Sequence, residues 1–299
     1  MSIIVMICFA RSGGTILNQC LGSLPNVVIM SEVSPLGGGA GKGQIYYQTI
    51  KSQAKNWYGI DLKSDENDFV ESTLELEKIC EKDNRQLIIR DWSYINFVPI
   101  KENNYNPPQR LLILEGLQGK CKLIPFAFVR DAIDIYLSFL KNINIMKCDI
   151  EKFFGCYLNY IKALIDANIP IFKYEDFALD PGNIINNICN YSGLRYSASF
   201  KNFNTFDKVN GDVQFGNSSR GIRQNKIKPL SRRIIPRDKI VEINQCAKMV
   251  EANSLLGYPA LYESKEREKV FNKLLDDICF NIYNVLGVSR RLSNIFKRQ

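Results

Sequence analysis

The chain has 299 residues, 45% of them apolar and 23% charged, with a formal net charge of +8. These are the proportions of an ordinary globular protein with room for one large α/β core and an extension. There is no histidine, which excludes a Ser-His-Asp triad, His metal ligands and a His general base, so any base must be Asp, Glu, Lys, Tyr or a perturbed Cys.

The net positive charge suits an anionic ligand. No long basic run with interleaved aromatics occurs, so nucleic-acid binding is not expected. The nine cysteines are scattered without a Cys-x-x-Cys pair, the usage of a reducing compartment, and the expected location is cytoplasmic. The apolar start lacks a basic leader and is interrupted at Arg11-Ser12-Gly13. No apolar run reaches the roughly 18 residues of a membrane span.

Ile3 to Phe9 is a continuous apolar run rich in β-branched residues, the pattern of a strand buried on both faces. It ends at Ala10-Arg11-Ser12-Gly13-Gly14-Thr15, and a helical pattern follows through Ile16, Leu17, Cys20, Leu21 and Leu24. Strand, Gly-rich turn and helix aim free backbone N–H groups at an anion. Gly13 and Gly14 allow close approach, Ser12 and Thr15 add hydroxyls, and Arg11 adds a fixed charge. The Gly-Lys-Ser/Thr ending of a nucleotide-hydrolase phosphate loop is absent.

Residues 26–30 read as a second strand ending at Ser31-Glu32, and 35–43 as a Gly-rich surface or lid loop. Helices are expected over 44–58 and 67–82, and a buried strand over Gln86 to Asp91. Leu111 to Leu114 fits either strand or helix. Lys122 to Arg130 reads as a strand despite Pro125. Asp131 caps a helix to about Asn142, 149–167 is strongly amphipathic, and 169–174 is a strand. Asp180-Pro181 opens another helix. Residues 198–235 are polar and turn-rich, 236–256 read as one helix, and 264–299 as two helices broken at Gly287. Alternating buried strands and helices predict an α/β fold: a central parallel sheet with helices on both faces and ligands beyond the strand C-termini. The expected division is an α/β domain at 1–262 and a basic helical extension at 263–299.

Three segments, in order and each at a predicted strand end, resemble the PAPS-dependent sulfotransferases. Arg11-Ser12-Gly13-x-Thr15 resembles their phosphosulfate loop. Arg130, with Ser138 eight residues on, is similar to the pair that binds the cofactor's 3′-phosphate; eight residues are roughly 2.2 helical turns, so both share a face. Tyr174-Glu175-Asp176 looks like the segment whose Tyr contacts the adenine region. Arg220-Gly221 and Arg223 match, more loosely, the family's basic loop over the 3′-phosphate.

The resemblance implies a P-loop-NTPase-like sulfotransferase fold and transfer of a sulfuryl group from PAPS to an acceptor hydroxyl or amine, leaving PAP, without a metal. It implies cofactor contacts from Arg11, Ser12, Gly13, Gly14, Thr15, Arg130, Ser138, Tyr174, Arg220 and Gly221. The chain departs from the family at the base. Related bacterial sequences carry Arg-Asp-His at a strand end where this one has Arg90-Asp91-Trp92. The catalytic group then comprises Arg11, which stabilises the transferring group, Arg90, and Asp91 as base, with Glu32 next in line. The alternative for Asp91 is an ion pair with Arg90 or Arg11. Two other readings of the chain stay open: a P-loop-like kinase, and a catalytically inactive cofactor-binding or scaffold protein. The acceptor, whether small molecule, sugar or lipid, is not legible. The extension, with Arg290, Arg291, Lys297 and Arg298, suits oligomerisation or peripheral membrane contact.

Overall fold

The computed structural model describes residues 2–36, 48–99, 106–140, 149–210, 226–232 and 235–262. The chain divides into two units, Met1–Ala260 and Leu261–Gln299, and the fold described is that of the first. The expected extension at 263–299 lies outside the described residues, as do Arg220, Gly221, Arg223 and most of the Gly-rich loop.

Five strands, β1 (Ser2–Cys8), β2 (Val27–Val33), β3 (Gln86–Trp92), β4 (Lys122–Val129) and β5 (Ile171–Lys173), form one parallel sheet in the order β2-β3-β1-β4-β5. β1 is central, which is why Ile3, Ile4, Val5 and Met6 are wholly buried and the strand reads as an unbroken apolar run. Between the strands lie α1 (Gly14–Gly22), α2 (Ile50–Tyr58), α3 (Phe69–Lys82), α4 (Ser93–Phe97), α5 (Leu112–Leu117), α6 (Ala132–Leu140) and α7 (Ile150–Asp166). After β5 come α8 (Tyr174–Leu179), α9 (Pro181–Ser192), a 3-10 segment (Ala198–Thr205), α10 (Arg237–Gln245) and α11 (Ala247–Leu255).

Strand residues alternate between faces. Ile4, Met6 and Cys8 of β1, with Ile29, Ile88, Phe126 and Phe128, pack on Leu17, Cys20 and Leu21 of α1 and on Phe177, Ile185 and Ile188 of α8 and α9. The other face meets α7, whose Tyr160 hydroxyl donates to the Ile7 carbonyl at 3.4 Å. Just past β1, the Phe9 ring packs edge-on against Tyr94, Phe153 and Tyr157.

Pro125 sits inside β4 without cost to the ladder. Odd residues of β4 face β5, since Ala127 N donates to Pro170 O, but β5 begins pairing only at Ala127. Pro125 therefore faces an unpaired stretch, and its carbonyl accepts from the Tyr191 hydroxyl at 2.9 Å instead.

Several boundaries differ from expectation. Leu112–Leu117 is helical. The strand expected at 169–174 is only three residues long, because Tyr174 already starts α8. The helix expected at 236–256 breaks at Cys246, whose ψ of 102° is extended, giving α10 and α11. Glu32, at the end of β2, takes φ +52° at a bulge where the register with β3 shifts between Met30 and Val33.

Candidate active site

The C-terminal ends of β1, β3 and β4 converge on the turn that follows β1. Arg11 has φ +72° and Gly13 φ +87°, so the turn runs through the left-handed region twice. Gly13 is required on two grounds: its φ, and the Tyr174 ring, whose Cδ2 would lie 2.4 Å from an added Cβ. At Gly14 an added Cβ would lie 2.5 Å from the Cys8 sulfur and 3.1 Å from the Arg90 guanidinium. Gly13 caps α1 with no side-chain hydrogen bond, so the cap leaves the first-turn N–H groups to other acceptors.

The two hydroxyls of the turn behave differently. Ser12 is fully buried; its Oγ donates to the Phe9 carbonyl at 2.6 Å, and its N–H bonds to the same oxygen at 3.3 Å. It therefore clamps the turn rather than offering a donor to a ligand, which departs from the expectation for Ser12. The Thr15 Oγ1 is buried with no hydrogen-bond partner.

Arg130, at the tip of β4, lies beside this turn. Its Nη1 donates to the Arg11 carbonyl at 3.4 Å, and its guanidinium stacks over the Tyr174 ring, 4.7 Å from the centroid. Asp134 and Glu175 stand at 3.8 and 4.0 Å, beyond hydrogen-bond range, and the buried Arg130 Nε has no hydrogen-bond partner. The Arg130 carbonyl accepts from the Tyr157 hydroxyl at 2.7 Å, which fixes the strand tip. On α6, Ser138 accepts from the Arg11 Nε at 2.8 Å. Arg11, Gly13, Arg130, Ser138 and Tyr174 thus form one contiguous group. Tyr174 is 9% exposed and wedged between Gly13, Phe128 and Arg130.

β3 contributes Arg90 and Asp91, which period-two alternation sends to opposite faces. Arg90, 3% exposed, points under α1: its Nη2 pairs with Glu32 at 2.5 Å, its Nη1 reaches the Ser31 Oγ and its Nε the Cys8 sulfur, each at 3.4 Å. The bulge of β2 is what turns Glu32 toward it. The partner of Arg90 is therefore Glu32 and not Asp91, which corrects that alternative and also engages the second candidate base in an ion pair. Asp91, 2% exposed, accepts from the Ser93 Oγ at 2.6 Å, and its Oδ1 has no partner. Burial pushes its carboxyl up to about 7. Trp92, in the position where the resemblance puts His, lines a small cleft with Val33, Ser34, Thr49, Ile50 and Phe69.

The Asp131 cap is as expected, but the residues that hold it in place were not apparent in the sequence. Asp131 caps α6 through Ile133 N at 2.9 Å, and Asn253 of α11 locks the same turn, donating to Asp131 and accepting from Ala132 N at 3.0 Å. Glu175 accepts from the Tyr258 hydroxyl at 2.5 Å, and burial raises its carboxyl. Arg232 pairs with both Asp131 and Asp134. Besides that cap, the Arg90/Asp91 divergence carried a readable signal, since neighbours on a strand cannot share a face.

Among the described residues no cluster of His, Cys, Asp or Glu could hold a metal ion, and no helix is long and apolar enough to cross a membrane. No protein-family model matches the chain, and no curated protein matches its sequence. Solved structures do match in fold. The sulfotransferase domain from the curacin biosynthetic pathway aligns at 14% identity and TM-score 0.51, over 86% of this chain and 98% of that one. The sulfotransferase domain of the Synechococcus PCC 7002 olefin synthase aligns at 13% identity and TM-score 0.52, over 87% and 95%. The chain has the sulfotransferase fold: a five-stranded parallel sheet wrapped by helices.

Proposed function

We propose that the chain is a sulfotransferase that uses PAPS as donor and sulfates an acceptor hydroxyl or amine. The observation that carries this reading is the pair of buried donors that make no hydrogen bond, Thr15 Oγ1 at the β1 turn and Arg130 Nε beside it, the latter with only Glu175 at 4.0 Å. A buried donor without a partner is costly unless a ligand completes it. Two such donors, joined by the Arg130–Arg11 contact, fit a ligand with two separate anionic groups.

PAPS would supply the sulfuryl group and two phosphates. The N–H groups of Gly13 to Ile16 and the Thr15 hydroxyl would receive the 5′-phosphate, with α1 adding its positive end. Arg130 and Ser138 would hold the 3′-phosphate and so distinguish PAPS from ATP. Arg11 lies between the two and would offset charge on the leaving phosphate oxygen. Tyr174 keeps Arg130 in place from below. Arg90 would act indirectly, by fixing Gly14 and the bulge at Glu32. Asp91 would take the acceptor proton through Oδ1, which is buried but makes no hydrogen bond, since a carboxyl near 7 is matched to proton transfer at neutral pH. Arg220 and Gly221 remain assigned to the 3′-phosphate on the resemblance alone.

Calorimetry decides the matter. Adenosine 3′,5′-bisphosphate (PAP) should bind, ATP and AMP should bind much more weakly, and radiolabelled PAPS should transfer label to some member of an acceptor panel. Preference for ATP would favour a kinase, and PAP binding with no transfer would favour a cofactor-binding scaffold.

A further inference from the structure

Arg130 does not sit among cations alone. Asp134 and Glu175 flank it at 3.8 and 4.0 Å, and Asp131 is the next residue along the chain; their combined charge would repel a phosphate. The compensation comes from the segment before α10. Arg232 pairs with Asp131 through Nη2 and donates from Nε to Asp134 Oδ1 at 3.3 Å. The other oxygen of Asp134, Oδ2, is the one 3.8 Å from Arg130. One carboxylate is therefore shared between two guanidiniums, and Arg232 makes the closer contact. Glu175, whose Oε1 lies 4.0 Å from the Arg130 Nε, is hydrogen-bonded by the Tyr258 hydroxyl and the Asp131 N–H rather than by Arg130.

We propose that Arg232 is a positioning residue for anion recognition, one that neutralises Asp131 and Asp134 and draws Asp134 away, so that Arg130 keeps open N–H donors for the ligand's 3′-phosphate. This rests on the function proposed above. Arg232 touches the carboxylates rather than the nucleotide. Without it, Asp134 closes on Arg130 as an internal anion, and the phosphate must displace it. Its two carboxylate contacts also tie the segment that ends the basic stretch at 198–235 to the first turn of α6.

The test measures PAP and AMP affinities by calorimetry on the full chain, for the unaltered protein, Arg232→Ala, Arg232→Lys, and Arg232→Ala combined with Asp134→Asn. Arg232→Ala should weaken PAP about tenfold or more, the scale of an unbalanced charge at a partly buried site, while AMP affinity is unchanged. Arg232→Lys should recover part of the loss. Asp134→Asn in the Arg232→Ala background should recover most of it, because the competing carboxylate is gone. A merely structural role would weaken PAP and AMP together and would not be reversed by Asp134→Asn. Unchanged PAP affinity in Arg232→Ala, or no recovery in the double variant, overturns the inference. An unaltered chain that binds PAP no better than AMP overturns the proposed function and this inference with it.

Discussion

Arg11 and Ser138 are 127 residues apart in sequence, yet the Arg11 Nε donates to the Ser138 Oγ at 2.8 Å. The contact exists because β1 and β4 are adjacent parallel strands, so the turn after one and the helix after the other emerge side by side. The end that carries the β1 turn is thereby joined to the end that carries Arg130, and one extended anion can span both.

Arg130→Ala should weaken PAP by about 1.5–3 kcal/mol, the range of hydrogen bonds to charged groups, and leave AMP nearly unaffected. Arg130→Lys should recover little, because a point charge cannot reproduce the guanidinium's several directed donors or its stacking on Tyr174. Isothermal titration checks both, and equal losses for PAP and AMP would place Arg130 elsewhere in the site.

Gly13→Ala should destabilise the fold by about 2–4 kcal/mol, from a positive φ and a clash with Tyr174 together. Adding Tyr174→Leu should relieve the steric share and leave the φ share. Urea melts of the single and double variants separate the two; a fully stable Gly13→Ala would mean that the turn can relax.

Glu32→Ala removes one partner of a buried ion pair and should cost about 3–5 kcal/mol, because the Arg90 charge stays in the core. Replacing both residues with apolar ones should cost much less. Denaturation midpoints of the two proteins give the comparison, and a double variant no more stable than Glu32→Ala would show that the pair's charge is not what matters.

Asp91 makes stability depend on pH in a direction opposite to that of an ordinary salt-bridged carboxylate. Its carboxyl is raised from 3.8 to about 7 by burial, so between those values the folded chain holds a proton that the unfolded chain has lost. The contribution is present below about pH 4 and is lost as pH rises through about 7, at most about 1.4 kcal/mol per unit. Asp91→Asn should flatten that slope in pH-dependent melts. If Asp91 is also the base, sulfation should rise through the same pH and fall sharply in Asp91→Asn, and a variant of full activity would remove it from the mechanism.

The fold class was legible because a central strand such as β1 is buried on both faces and must be apolar throughout, and because such strands alternate with helical patterns along the chain. The order of Arg11, Arg130 and Tyr174 along the chain was legible for the same local reason, each standing at the end of an apolar run. What the Ser12 hydroxyl does was not legible, since a serine in a turn can face its own backbone or a ligand equally well. Nor was the pairing of Arg90 with Glu32, which depends on a bulge in β2, or that of Arg232 with Asp131 and Asp134, about a hundred residues distant. Local pattern specifies which residues are inside and where a strand stops; which charges meet there is decided by strand order and crossovers, which bring together side chains that carry no mark of one another in the sequence.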